Sequence, residues 1–146
     1  MFKASEILVP TDFSLASINA LRVAIAMAAP DGDITLLHVI DEHFVNDAAG
    51  AELGSVDEIR SRLRDRADAN FDAMLEQIEA GAVNIERMIV IGAPFVEILK
   101  IARDLDLPLI VMGLKGRSTP PEEMLFGSTA EKVLRGSRIP VLCVPY

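Results

Sequence analysis

Tryptophan is absent from this sequence, and tyrosine and cysteine occur once each. Aliphatic side chains must therefore build the core. The lone thiol, Cys143, excludes an internal disulfide framework and any zinc site made of cysteines. It fits a reducing compartment. Positive charge is also scarce, with 14 Lys and Arg against 22 Asp and Glu and a formal net charge of -8. Nucleic acid is a disfavoured partner, because neutralising its backbone takes clustered Lys and Arg. A small anion stays open as a ligand, because main-chain amides bind phosphate locally. No apolar run approaches the roughly 20 residues that span a bilayer, so no membrane partner is expected. The opening stretch MFKASEILVPTDF carries no signal peptide, which makes the cytoplasm the expected location.

What is present is a chain of 146 residues, half of them hydrophobic. That is the size of one ordinary domain, 1–146, able to bury roughly 70% of its unfolded surface. Ile7 to Pro10 is a short apolar run, read as a strand. Thr11-Asp12-Phe13-Ser14 supplies turn and N-cap chemistry. Ile18, Leu21, Ile25 and Ala28 then recur at helical spacing. Pro30-Asp31-Gly32-Asp33 stops that helix, and Ile34 to Ile40 is the second strand. Asp41 to Ser55 is polar and rich in small residues, and reads as a loop. Ile59, Leu63, Ala67, Phe71, Met74, Leu75 and Ile78 make the stripe of a long helix ending near Gly81. Its arginines and aspartates read as a solvated face with local ion pairs. Ile85 to Ile91 is the third strand, and Pro94 starts a helix running to Asp104. Leu107 to Met112 is the fourth strand, Ser128 to Leu134 a short helix and Ile139 to Val144 the fifth strand. Strands alternating with helices, several of them continuous apolar runs, predict an α/β fold with a parallel sheet covered on both faces.

Ligands of such sheets bind beyond the carboxyl ends of the strands, where strand order reverses. Two groups stand there. The first is the loop VMGLKGRSTPPEEMLFGST, residues 111–129. Gly113 and Gly116 let the main chain turn sharply and present amides. Gly127, Ser128 and Thr129 open a helix whose free N–H groups and positive dipole end suit a phosphate. From spacing alone, the glycines equally shape a turn and Ser128 equally caps a helix. The segment is neither a Walker loop nor a dinucleotide fingerprint. The second group is Asp12, a carboxylate able to accept hydrogen bonds from a ribose or an adenine amino group. It also reads as a helix cap, as does Ser14. His38 reads as a packed strand residue, and His43 as a loop residue able to reach a ligand. Cys143 reads as inert packing.

ILVPTDFS, LLHVID, VMGLKGRS and FGSTAEKVLRGSRIPVLCVP, in that order, resemble the universal stress protein family over nearly the whole chain. The resemblance implies an open five-stranded parallel sheet of order 3-2-1-4-5, helices on both sides, with the switch point between strands one and four. Some members bind ATP, through a pattern of Gly, two residues, Gly, nine residues, Gly, then Ser or Thr. Gly113, Gly116, Gly127 and Ser128 match it, with ten residues, Arg117 to Phe126, where the pattern has nine. By position, Pro10, Thr11 and Asp12 would line the adenosine pocket, Val39 would pack on adenine, and Met112 and Gly113 would border the nucleoside. Gly116, Gly127, Ser128 and Thr129 would hold the phosphates, with magnesium as a bridging ion. Lys115 and Arg117 could add counter-charge, although such side chains are more often solvated.

One stretch departs from the family, Pro120-Pro121-Glu122-Glu123. A carboxylate near a phosphate repels it by about 1 kcal/mol per charge pair in water. The resemblance also implies a homodimer through the last strand, Val141, Leu142, Cys143 and Val144, whose edge invites pairing with another copy. The expected function is an ATP-binding dimeric switch in stress response. The alternatives are a nucleotide-free interaction module of the same fold, a weak ATPase, or an enzyme acting on an adenylated or phosphorylated small molecule.

Overall fold

The structure, a computed structural model, describes residues 4–115 and 126–145. In chain order the elements are β1 (Glu6–Pro10), α1 (Leu15–Ala28), β2 (Asp33–Asp41), α2 (Glu42–Gly50) and α3 (Val56–Glu76). They continue with β3 (Asn84–Gly92), α4 (Pro94–Asp104), β4 (Ile110–Gly113), α5 (Ser128–Gly136) and β5 (Val141–Val144). The strands form one parallel sheet in the order β3-β2-β1-β4-β5, as expected.

Successive strand side chains point to opposite faces, and here both faces are apolar. Ile7, Val9, Leu36 and Val111 enter one core layer with Leu21 of α1 and Phe71 of α3. Leu8, Leu37, Ile110 and Met112 enter the other, beneath Ile98 of α4 and Val133 of α5. This is why the central strands read as unbroken apolar runs rather than alternations.

Residues 41–55 depart from the expected loop. Glu42–Gly50 is a helix, α2, capped by Asp41, whose carboxylate accepts the His43 N–H at 2.9 Å. Val45 is fully buried beside Ile40 of β2 and Ile59 of α3. Its core-facing stripe is short, Val45 with the small Ala48 and Ala49, and gave periodicity little to register. His43 accordingly lies on a helix rather than in a loop. After it, Ser55 caps α3 through its hydroxyl, which accepts the Glu58 N–H at 3.1 Å.

The last two strands are shorter than their apolar runs. Leu107 and Leu109 are buried but precede β4, since Pro108 has no N–H to give a ladder. Likewise Ser137 and Ile139 form a turn closed by the Ser137 hydroxyl before β5 begins at Val141.

Candidate functional site

The β1–α1 turn is tied together by its own side chains. Thr11 is buried, and its hydroxyl lies 2.8 Å from the Ser17 hydroxyl and accepts the Phe13 N–H at 2.9 Å. The Asp12 carboxylate accepts the Ser14 N–H at 3.0 Å, and Ser14 caps α1 by accepting the Ser17 N–H at 3.3 Å. Ser14 is thus the cap, and Asp12 closes the short turn before it. Phe13 takes a left-handed conformation, φ 66°, which is costly for a bulky residue. Its ring is held on both sides, 4.6 Å from the His38 ring and edge-on to Phe71 at 5.1 Å.

His38 does more than pack. Its Nδ1 lies 2.8 Å from the Thr11 carbonyl oxygen. A carbonyl only accepts, so Nδ1 carries the proton and donates. The imidazole therefore fixes the turn that presents Asp12.

Across the switch point, β4 runs close to α1. A Cβ on Gly113 would sit 3.0 Å from the Ala16 carbonyl carbon and Cβ, and 3.1 Å from the Ser17 nitrogen. Close strand–helix packing therefore favours Gly113, whatever else it borders. Beyond it, Leu114 donates its N–H to the Val144 carbonyl at 2.8 Å and accepts the Gly127 N–H at 2.9 Å. The second bond closes the base of the loop. Gly116, Arg117 and the Pro120–Glu123 stretch lie outside the described residues. Gly127, rather than Ser128, is the N-cap of α5, and the cap makes no side-chain hydrogen bond.

These elements enclose a crevice of about 160 Å³ at the carboxyl end of the sheet. Pro10, Thr11 and Asp12 line it from β1, and Val39 from β2. Met112 and Gly113 line it from β4, and Ser128 and Thr129 from α5. Eight of the ten residues singled out from the sequence thus meet at one place. Gly127 adjoins the crevice by setting the start of α5, and His43 is not among the lining residues.

Sequence reasoning missed part of the wall. Ile98 and Pro94 come from α4 and Ser17 from α1, while Lys115, named from the resemblance as a counter-charge, lines it from just beyond β4. Pro94 carried a usable signal, since it starts a helix at the carboxyl end of a strand. Lys115 is only 7% exposed, which corrects its reading as a solvated side chain. Cys143 lies away from the crevice, and burial pushes its thiol pKa up, so the inert thiol form is favoured. Among the described residues no three His, Cys, Asp or Glu side chains gather as a metal site.

The model of the universal stress protein family matches residues 4–145. The chain belongs to the universal stress protein family. Universal stress protein MJ0577 of Methanocaldococcus jannaschii is 34% identical, over 95% of this chain and 93% of that protein. Universal stress protein YxiE of Bacillus subtilis is 31% identical, over 96% of this chain and 98% of its own length. The solved structure of MJ0577 superposes with a TM-score of 0.82 at 33% identity, covering 99% of this chain and 96% of that one. A universal stress protein solved in complex with cAMP superposes with a TM-score of 0.60 at 28% identity, covering 97% of both chains.

Proposed function

We propose that this universal stress protein binds an adenine nucleotide, ATP in the first instance, in the crevice between β1 and β4. One observation carries the reading. A carboxylate on a rigid turn, Asp12, and the amino end of α5 open into the same apolar-walled crevice. A nucleoside has hydrogen-bond donors for the carboxylate. A phosphate suits the N–H groups of a helix whose N-cap, Gly127, supplies no side-chain acceptor. Val39, Ile98 and Met112 give a base an apolar surface, as ligand sites in such sheets do. The relative solved with cAMP supports an adenine ligand for this architecture.

In this reading Asp12 holds the nucleoside, and Ser128 and Thr129 hold the phosphates together with Gly116 and Gly127. Magnesium bound with ATP would offset phosphate charge and would be carried by the nucleotide. Occupancy would change the surface near α5 that a partner reads, in a cytoplasmic stress response. Calorimetric titration with ATP and magnesium tests this. Wild type should bind at micromolar levels and Gly116→Glu should not. No heat at millimolar ATP with wild type would overturn the reading and leave a protein-binding module.

The same reading includes a homodimer through β5. Ile110 donates to the Pro140 carbonyl and Leu114 to the Val144 carbonyl. Alternation along the ladder then turns the main-chain groups of Val141 and Cys143 to the open edge. Leu142 is 38% exposed, whereas Val144 is buried in the core beside α1. Val141→Pro should remove an edge N–H, spare the β4 ladder and yield monomers by light scattering. An unchanged mass would place any dimer elsewhere.

A further inference from the structure

Asp12 stands between two residues that a single imidazole holds. The carbonyl oxygen 2.8 Å from His38 Nδ1 belongs to the peptide that joins Thr11 to Asp12. A peptide unit is planar, so holding that oxygen fixes the plane from which the Asp12 main chain departs. On the other side of Asp12, the Phe13 ring lies 4.6 Å from the same imidazole, tilted by 40°. Phe13 is also the bulky residue at φ 66°. Such a conformation persists only where the surroundings over-determine it.

The clamp has a firm mounting. His38 belongs to β2, which pairs with β1 on one side and β3 on the other. Its neighbour Leu37 accepts the Thr11 N–H at 2.8 Å. Consecutive residues of one interior strand thus hold both main-chain groups of Thr11. The turn's own bonds, from the Phe13 N–H to the Thr11 hydroxyl and from the Ser14 N–H to Asp12, set its shape locally. The His38 contacts tie that shape to the sheet. They tie it in particular to Val39, the next residue of β2, which lines the crevice with Asp12. The strand that offers a base its apolar surface therefore also aims the carboxylate.

We propose that His38 is a positioning residue for nucleoside recognition, its Nδ1–H setting the direction in which Asp12 presents its carboxylate relative to Val39. The inference rests on the adenine-nucleotide reading and deepens it. The imidazole acts through Asp12, so its contribution is the same for a bare nucleoside and for its phosphates. Two substitutions separate the donor from the ring. Asn carries an N–H donor the same number of bonds from Cα as His Nδ1, without the ring. Phe keeps a ring against Phe13 and has no donor.

The experiment is calorimetric titration of wild type, His38→Phe and His38→Asn with adenosine and ATP, with stability read by urea denaturation. His38→Phe should lose about tenfold in affinity, the scale of one hydrogen bond, and equally for both ligands. His38→Asn should recover most of that loss, so that affinity follows the donor and not the stability. If His38→Phe does not fold, His38→Gln, whose amide reaches one bond too far, takes its place. In an Asp12→Ala background the donor-less variant should bring no further loss. An imidazole proton–nitrogen correlation spectrum of wild type should show the proton on Nδ1. Affinity losses that follow stability, full additivity with Asp12→Ala, or an Nδ1 without a proton would each overturn the role of His38 and leave the nucleotide reading standing. Wild type binding neither ligand would overturn that reading and this role with it.

Discussion

The two walls of the crevice are built by opposite means. On the β1–α1 side, side chains close every turn. Thr11, Asp12 and Ser14 accept the N–H groups of Phe13, Ser14 and Ser17, and His38 holds the Thr11 carbonyl. On the α5 side, Gly127 caps the helix without any side chain. The first wall ties its turn with its own side chains, and Asp12 both closes that turn and lines the crevice. The second has no side-chain cap from Gly127 among the described residues. A site that must hold a base in one orientation and accept a charged tail benefits from that division. Rigidity lowers the ordering cost of binding, and uncapped amides give an anion partners.

The sharpest way to break the comparison is to remove what stands behind the rigid wall. Phe71 is fully buried and supports Phe13 edge-on. Phe71→Ala should cost about 3–5 kcal/mol of stability, read by urea denaturation, and should weaken ATP binding by loosening the turn. A loss below about 1 kcal/mol would show that the ring is not the turn's support. Thr11→Val comes next. It removes the hydroxyl that accepts the Phe13 N–H and bonds Ser17. Leaving such groups unmet costs about 1–3 kcal/mol, visible in the same denaturation curves. The smallest stability effect belongs to the other wall. Ser128→Ala should shift stability by no more than about 0.5 kcal/mol, because Ser128 is not the cap. It should nevertheless weaken ATP binding about tenfold, the scale of one hydrogen bond to a charged group. A large stability loss in Ser128→Ala would erase the distinction between the walls.

The sequence made the frame legible because apolar runs and turn signals are local. Ile7 to Pro10, Ile34 to Ile40 and Ile85 to Ile91 announce strands, and Pro94 announces a helix start. The helix α2 escaped because its stripe is short and mostly alanine, Val45 with Ala48 and Ala49. The crevice was legible through Asp12 and the Gly127-Ser128-Thr129 stretch, which stand at strand and helix ends. Lys115 was not. A lysine's burial depends on which elements close over it, and nothing in its neighbours Leu114 and Gly116 records that. Gly113 taught a different lesson. Its place beside a ligand crevice invited a ligand explanation, yet its missing Cβ also suits the close approach of Ala16 and Ser17 of α1.

The bond from the Gly127 N–H to the Leu114 carbonyl has a consequence for how this protein can vary. It fixes both ends of the intervening segment by main-chain groups, independent of any side chain between them. That segment can therefore lengthen or shorten as a cassette while its two attachment points stay put. The residue types between Leu114 and Gly127 can then change while the main-chain bond at the segment's base stays the same.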